Sequence, residues 1–334
     1  MFPYLELAAG LTLLVIGGDA LVRGAVGLAE RFAIPPIIIG LTIVAFGTSA
    51  PELIVSITAA LGGAPGIALG NVVGSNVANI FLVLGVPALI AAIPTAQPFV
   101  RRNTLFMIGV TLIFIALCFT GQLVFWHGLV LVTLLLLFLA ESARTALRQR
   151  EPIDPGEEGV SNPWLAILLV AAGLIGLPLG ARFTVEGAST IAASWGVSDA
   201  AIGLTVVAIG TSLPELAATI LAAIRRQGGI VVGNVIGSNL FNMMAIMGIT
   251  VLIAPIPVDE KFLEIDLWIM LAAALVLVPF VWWRQKIGRI AGVVFSVIYV
   301  AFIWFALTEG EAEAAALSAA PADAIVGISQ FELT

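Results

Sequence analysis

Two glutamates lie inside strongly apolar stretches of this 334-residue chain, and both belong to a repeated motif. Glu52 ends the segment GTSAPE and Glu215 ends GTSLPE, and the two acids are 163 positions apart. A second motif follows each acid at the same offset, GNVVGSNVAN at residues 70–79 and GNVIGSNLFN at residues 233–242. A carboxylate inside a membrane-type segment is costly, so it needs a partner or a function. We therefore expect the rest of the chain to position these two acids.

Oxygen is the ligand atom that these motifs supply, since they contain no cysteine or histidine. Hydroxyl and amide groups recur at matching positions: Thr48, Thr211, Ser49, Ser212, Ser75, Ser238, Asn79 and Asn242, with further amides at Asn71, Asn76, Asn234 and Asn239. Proline displaces the carbonyl four residues earlier, so Pro51 and Pro214 are expected to disturb the helices around them. Neighbouring carbonyls, such as those of Ala45 and Ala208, then turn towards a cavity. Such a cluster suits a hard cation such as Ca2+ and disfavours zinc and copper.

A purely structural role is the alternative for these residues. The polar groups one turn apart in the second motif can bond between helices without touching an ion: Ser75, Asn79, Ser238 and Asn242. The glycines of that motif can serve close helix packing alone: Gly70, Gly74, Gly233 and Gly237. Recurrence beside the paired acids favours ion contact for the serines and asparagines, and packing for the glycines.

The composition identifies a membrane protein: 60% of the residues are hydrophobic and 10% are charged. The single cysteine, Cys118, excludes an internal disulfide framework, and the lone His127 cannot build a histidine metal site. The net charge of −7 argues against a nucleic-acid partner. The chain is therefore expected to have the lipid bilayer as its environment.

Ten segments are long and apolar enough to cross a bilayer, which predicts an all-α polytopic membrane protein with ten transmembrane helices. They are about 4–30, 36–62, 66–93, 103–120, 123–147, 163–192, 199–224, 229–254, 262–283 and 288–308. A polar cytoplasmic linker at 149–162 separates a first five-helix repeat, 1–148, from a second, 163–308. Residues 309–334 are predicted to form an acidic extracytoplasmic tail with little order, a short docked helix being the alternative.

Lysine and arginine concentrate in the connections that follow odd-numbered segments, which is the positive-inside pattern. Both termini are then predicted to be extracytoplasmic. Because each half has an odd number of helices, the two similar halves enter the membrane in opposite directions. Two inverted five-helix repeats are a common plan in secondary transporters.

GTSxPE followed by GNxxGSN, present twice, resembles the alpha repeats of the cation/calcium exchanger (CaCA) superfamily, and the chain looks like a prokaryotic sodium/calcium exchanger. The resemblance implies a central cluster of four cation sites, with Glu52 and Glu215 as the acids that chelate Ca2+. It implies further ligands at Thr48 and Thr211 for Ca2+, and at Ser49, Ser75, Ser212 and Ser238, with the carbonyls of Ala45 and Ala208, for Na+. Asn79 and Asn242 match the two central polar positions. In the family, the first and sixth helices slide against the core to alternate access.

The central amides bear on the driving ion. Potassium-dependent relatives carry an aspartate at the position of Asn242, and proton-coupled relatives carry an extra acid in the GNxxG region. Here that region holds valine and isoleucine: Val72, Val73, Val235 and Ile236. The resemblance therefore favours sodium as the driving ion.

The resulting hypothesis is a secondary antiporter that exchanges Ca2+ for Na+ by alternating access, with Glu52 and Glu215 as shared ligands. Two carboxylates balance one Ca2+ or support two or three Na+. The alternatives are a proton/Ca2+ antiporter, a potassium-dependent Na+/Ca2+ antiporter, a cation channel and an intramembrane enzyme. We expect no catalytic residues and no cofactor, Ca2+ and Na+ as transported substrates, an inner or plasma membrane location, and a monomer or weak homodimer.

Two further acid–base pairs lie on the first and sixth segments. Asp19 and Arg23 are four positions apart, as are Arg182 and Glu186, and the signs are reversed between the repeats. Each pair can form locally, or Asp19 can meet Arg182 across the repeat near mid-membrane. We expect these charges to neutralise one another and to serve structure or helix sliding.

Overall fold

The computed structural model describes residues 2–97, 99–148, 160, 162–196, 206 and 208–319, which are almost entirely helical. The α-helices are α1 (Phe2–Phe32), α2 (Pro36–Ile39), α3 (Ala45–Thr48), α4 (Ala50–Leu61), α5 (Pro65–Ala78), α6 (Gly85–Ile90), α7 (Val100–Cys118), α8 (Phe125–Arg148), α9 (Pro163–Ser194), α10 (Ala208–Thr211), α11 (Leu213–Ile224), α12 (Gly228–Phe241), α13 (Gly248–Ile253), α14 (Leu267–Trp282) and α15 (Arg289–Ala319). π-Helical segments occupy Gly40–Val44, Asn79–Val83, Asn242–Met247 and Phe262–Asp266. Strands β1 (Gln122–Leu123) and β2 (Ile256–Pro257) pair antiparallel.

Within the described residues, eight helices are long and apolar enough to cross a membrane, or nine if α2–α3 and α4 count as one bent span. The predicted all-α polytopic architecture is thereby confirmed. The predicted span at 199–224 is described mainly from Ala208 onwards, as α10 and α11. The number of ten helices and the inversion of the repeats therefore stay predictions.

The predicted boundaries differ from the structure at the last helix. α15 does not end at residue 308 but continues to Ala319, into the predicted tail. The reason is composition, because residues 311–317 are alanine and glutamate apart from one leucine, and these are strong helix formers. The rest of the tail, from residue 320, and nearly all of the linker at 149–162 lie outside the described residues.

Helices α1 and α9, of 31 and 32 residues, pack antiparallel along much of their length. Glycines permit this approach: a Cβ on Gly24 would lie 2.6 Å from the Ala166 carbonyl oxygen, and one on Gly187 would lie 2.6 Å from the Leu7 amide nitrogen. Small residues let backbones approach in a bilayer, where van der Waals contact drives helix association. The glycines thus hold α1 and α9 together as one unit.

Two helical spans form the centre of the bundle. These are Pro65–Ile90 and Gly228–Ile253, whose apolar windows are 72% and 83% buried, against at most 44% for the other single-helix spans. In the second span, a Cβ on Gly237 would lie 2.7 Å from the Leu41 carbonyl oxygen, so the second motif of one repeat packs on the segment that leads into the first motif of the other. This close packing agrees with the role predicted for that glycine.

The connections rich in lysine and arginine meet at one end of the bundle, here called the basic end. Ile93 and Ile287 exchange backbone hydrogen bonds of 2.9 Å there, and the Arg289 guanidinium donates to the Leu89 carbonyl at 3.1 Å. The β1–β2 pair lies at the other end, and four acids follow it: Asp259, Glu260, Glu264 and Asp266. The alternation of charge along the sequence is thus also a separation in space.

The charged residues of α1 and α9 form local pairs and not the alternative contact between Asp19 and Arg182. Arg182 Nε donates to Glu186 Oε1 at 2.7 Å, so that pair is local, and Arg23 Nη1 lies 3.9 Å from Asp19 Oδ2. The main partner of Asp19 is Arg225, just after α11, whose Nε donates to Asp19 Oδ1 at 2.9 Å. The contact predicted between Asp19 and Arg182 is wrong.

The antiparallel packing of α1 and α9 explains this correction. Gly17 packs beside Leu177, whereas Gly10 packs beside Thr184. Asp19 and Arg182 therefore lie roughly two helical turns apart along the pair. Positions that match in a duplicated sequence meet in space only where the two helices cross at that position.

Candidate cation site

Each repeat breaks its helix just before the acid. Ser49 separates α3 from α4 with φ −84° and ψ 7°, and Ser212 separates α10 from α11 with φ −86° and ψ 2°. A proline follows each serine within the first turn of the new helix, where its missing N–H costs nothing. The bend between the two helices is 43° in the first repeat. Glu52 and Glu215 consequently lie in the first turn of a helix, where the helix dipole favours a negative charge.

Both acids are buried in the protein interior rather than turned towards lipid. Glu52 is 2% exposed and Glu215 is 1% exposed. Within the described part of the chain, no lysine or arginine forms an ion pair with either carboxylate. Two buried carboxylates are costly to keep ionised together, so a bound cation or a proton would stabilise them.

The two repeats share the site. Ser49, in the first repeat, donates its hydroxyl hydrogen to Glu215 Oε1 of the second repeat at 3.0 Å. Thr48, also in the first repeat, has its Oγ1 3.4 Å from Asn234 Oδ1 of the second repeat. A residue of the first GTSxPE motif therefore contacts the acid of the second.

Several buried oxygens in this region have no hydrogen-bond partner among the described residues. They are Glu52 Oε2, Glu215 Oε2, Asn79 Oδ1, Asn242 Oδ1, Ser212 Oγ and Ser238 Oγ. Buried polar atoms are nearly always satisfied, and leaving one unsatisfied costs roughly 1–3 kcal/mol. Carboxylate, amide and hydroxyl oxygens are the ligands that hard cations prefer. The arrangement can therefore bind Ca2+ or Na+.

Comparison with known proteins places the chain in a family. The family described as "Sodium/calcium exchanger protein" matches residues 3–142 and 165–308. The chain belongs to the sodium/calcium exchanger family. It is 39% identical over 309 residues to the putative antiporter CaxA of Alkalimonas amylolytica, covering 89% of this chain and 95% of that protein. It is 34% identical to the sodium/calcium exchanger MaX1 of Methanosarcina acetivorans, covering 90% of this chain and 97% of that protein.

Solved structures agree with the family membership. The sodium-calcium exchanger NCX_Mj, soaked with 10 mM Na+ and 10 mM Sr2+, superposes with a TM-score of 0.80 at 34% identity, covering 90% of this chain and 97% of that one. The members of this family are transporters, so the chain is a cation/Ca2+ exchanger and not an enzyme. Its substrates are the transported ions, without a cofactor.

Most of the remaining predicted site residues of this exchanger are buried, and they differ in their local structure. Ser75 and Ser238 are buried, and Asn79 and Asn242 each begin a π-helical segment, a distortion that is frequent at functional sites. The Ala45 carbonyl accepts a 3.1 Å hydrogen bond from the Ser49 N–H and lies 3.4 Å from Thr48 Oγ1, which can donate to it as well.

The second repeat is described less fully at the corresponding positions. Ala208 begins α10 and Thr211 ends it, just before the break. The preceding residues, 201–205 and 207, lie outside the described part of the chain. The roles of Ala208 and Thr211 remain predictions.

Two amides support the site without belonging to the predicted ligand set. Asn71 Nδ2 donates to the Glu52 carbonyl oxygen at 3.1 Å and to Ser56 Oγ at 2.9 Å. Asn234, at the matching position, accepts from Thr48. The signal for both was their recurrence in the second motif, but the partners depend on tertiary contacts that the motif does not encode.

Proposed function

We propose that this exchanger is a secondary antiporter that couples Ca2+ movement to an opposing Na+ gradient. Glu52 and Glu215 serve as shared ligands that hold Ca2+ and Na+ in alternation. The observation that carries this proposal is a pair of buried carboxylates without a cationic partner among the described residues. They are brought together by the Ser49 hydrogen bond to Glu215 and lie beside buried oxygens that have no hydrogen-bond partner.

Charge balance gives the exchange a physical origin. Two carboxylates neutralise one Ca2+, and the same two carboxylates support two or three Na+ with neutral oxygens completing the shells. Ca2+ takes about six to eight oxygen ligands, more than two carboxylates provide, so hydroxyl, amide and carbonyl oxygens must contribute. A full Ca2+ shell and a full Na+ load compete for the same carboxylate oxygens. An unloaded site leaves two buried negative charges, which disfavours crossing without an ion.

Neutral amides at the two central positions support Na+ as the driving ion. Asn79 and Asn242 add oxygen ligands without adding charge, so the site carries two carboxylates and no third acid within the described residues. The name of the relative MaX1, a sodium/calcium exchanger, supports the same assignment. The competing proposals are coupling to protons and a requirement for potassium.

The distribution of charge supports an orientation. We place the basic end in the cytoplasm of a cell whose inner or plasma membrane holds the protein, because positively charged connections are retained there. Both termini are then extracytoplasmic. The site is formed by residues of one chain, so we take the monomer as the functional unit, with any homodimer being weak.

The test is 45Ca2+ flux in proteoliposomes that contain the purified protein, with Na+, K+ and H+ gradients imposed one at a time. We expect an outward Na+ gradient to drive Ca2+ uptake at least tenfold above the ion-balanced control, and K+ to have no effect. Uptake driven by a pH gradient alone would replace Na+ with H+ as the coupling ion. Unitary currents without coupling would reject exchange in favour of a channel.

A further inference from the structure

Four buried asparagines and two buried methionines form two matching chains of hydrogen bonds in the centre of the bundle. In one chain, Asn239 Nδ2 donates to Met107 Sδ at 3.5 Å and Asn79 Nδ2 donates to Asn239 Oδ1 at 3.1 Å. In the other, Asn76 Nδ2 donates to Met270 Sδ at 3.4 Å and Asn242 Nδ2 donates to Asn76 Oδ1 at 3.2 Å. We call each chain an amide relay.

The two relays are related by the internal duplication. Each member of the first relay lies 163 positions from its counterpart in the second, and this holds for the methionines as well as the asparagines. Each relay also crosses between the repeats, since Asn79 of the first repeat bonds to Asn239 of the second. The same arrangement therefore occurs twice on the two central spans, once with Met107 of α7 and once with Met270 of α14.

The relay has a direction because a methionine sulfur accepts hydrogen bonds and cannot donate them. Asn239 must therefore turn its Nδ2 towards Met107, which leaves its Oδ1 towards Asn79. Asn79 must then donate from its Nδ2 to that oxygen, which leaves its own Oδ1 without a partner in the described part of the protein. The same reasoning leaves Asn242 Oδ1 unpartnered.

The free amide oxygens lie beside the helices that carry the acids. The π-helical segment Asn79–Val83 packs against α11, which carries Glu215, and the segment Asn242–Met247 packs against α4, which carries Glu52. The Val83 carbonyl, at the end of the first segment, accepts a hydrogen bond of 3.1 Å from Thr219 of α11. Both relays thus end at the candidate cation site.

We propose that the relays fix the orientation of the two central amides so that each presents an oxygen, and never an NH2 group, to the transported cations. Met107, Met270, Asn76 and Asn239 are positioning residues in this account, acting through Asn79 and Asn242. The inference rests on the proposed function, because it concerns the ligands of the same site. Without the sulfur acceptor, an asparagine can rotate its amide by half a turn and present two donors, which repel a cation.

Methionine-to-leucine substitutions test the direction of the relay with little change in volume. We expect Met107→Leu or Met270→Leu to raise the Na+ concentration needed for half-saturation by roughly three- to tenfold, which corresponds to a lost hydrogen bond of ordinary strength. Met107→Gln restores an acceptor and should recover most of that loss. Met247→Leu is the matched control, because Met247 is equally buried and no hydrogen bond is found at its sulfur among the described residues.

The readout is equilibrium binding of 22Na+ and 45Ca2+ to the purified full-length protein in detergent. A relay that positions ligands shifts the affinity for Na+, which depends more on neutral oxygens, further than the affinity for Ca2+. Loss of packing alone lowers the number of competent sites for both ions and leaves their affinities unchanged. An affinity within twofold of the unaltered protein in both leucine variants would overturn the proposal, as would a glutamine variant no better than leucine.

The outcome also separates this inference from the proposed function. If the unaltered protein binds Ca2+ but Na+ does not compete, the coupling ion is wrong, while the leucine and glutamine pair still tests the relay through Ca2+ affinity. If it binds neither ion, the proposed function and the role given to the relays are both rejected.

Discussion

Neutralising one of the two buried acids is expected to change ion binding and stability in opposite directions. Glu52→Gln or Glu215→Gln removes half of the carboxylate charge from a site in which both side chains are at most 2% exposed. Removing one partner of a buried charge pair costs about 3–5 kcal/mol, so Ca2+ affinity should fall on the order of 100- to 5,000-fold. Without ions, the same change removes repulsion between two desolvated carboxylates, so the melting temperature of the empty protein should rise.

Both effects are measured on the purified protein, by calorimetric titration with Ca2+ and by thermal unfolding in buffer without Na+ and Ca2+. Glu260→Gln is the matched control, since Glu260 is exposed at the end of the bundle opposite the basic end. Neither the Ca2+ affinity nor the melting temperature should change in this variant. Retained Ca2+ affinity in either buried variant would show that the carboxylate is not a ligand. A lower melting temperature without ions would show that the two acids do not repel each other.

Four further substitutions test three separate parts of the site and the fold. Ser49→Ala removes the 3.0 Å hydrogen bond to Glu215 and a predicted Na+ ligand, so Na+ affinity should fall by roughly tenfold in 22Na+ binding; an unchanged affinity would exclude Ser49 from the Na+ shell. Asp19→Asn with Arg225→Gln removes the partly buried ion pair between α1 and the end of α11. The single changes should destabilise the protein by roughly 1–3 kcal/mol and the double change by less than their sum in thermal unfolding, whereas strict additivity would show that the pair is not coupled. Asn242→Asp adds a third acid, so Ca2+ flux should become sensitive to protons or to K+; unchanged ion selectivity would argue that the Asn242 side chain does not touch the ions.

The positions of the acids were predictable because a charged residue in an apolar segment is rare and costly. Glu52 and Glu215 needed no tertiary information, and the proline two positions after each motif serine indicated a helix interruption nearby. The family and the polytopic helical fold followed from the same motifs and from composition. All these features depend on local sequence alone, which explains why they could be predicted without the structure.

The partners of polar side chains were not predictable in the same way. A contact between Asp19 and Arg182 was one of two alternatives, but the antiparallel packing of α1 and α9 separates these residues. Arg225 is the partner of Asp19 that the sequence did not indicate. The amide relays connect residues of different repeats, and nothing in the spacing of Met107 and Asn239 indicates their contact. Such pairings depend on helix crossing positions, which are set by packing across the whole bundle.

The end of the last helix was missed for a different reason. Hydropathy indicates where a chain leaves the membrane, and it falls at Glu309. The helix itself continues to Ala319, because alanine and glutamate favour helix in water as well as in lipid. The end of a membrane span and the end of a helix are therefore separate predictions.

Competition between the two ions at equilibrium tests the shared carboxylates most directly. In purified protein saturated with 45Ca2+, the account predicts one Ca2+ per chain and its complete, cooperative displacement by Na+, with more than one Na+ bound for each Ca2+ released. A protein that keeps Ca2+ bound while 22Na+ fills its sites would contradict the claim that Glu52 and Glu215 hold these ions in alternation.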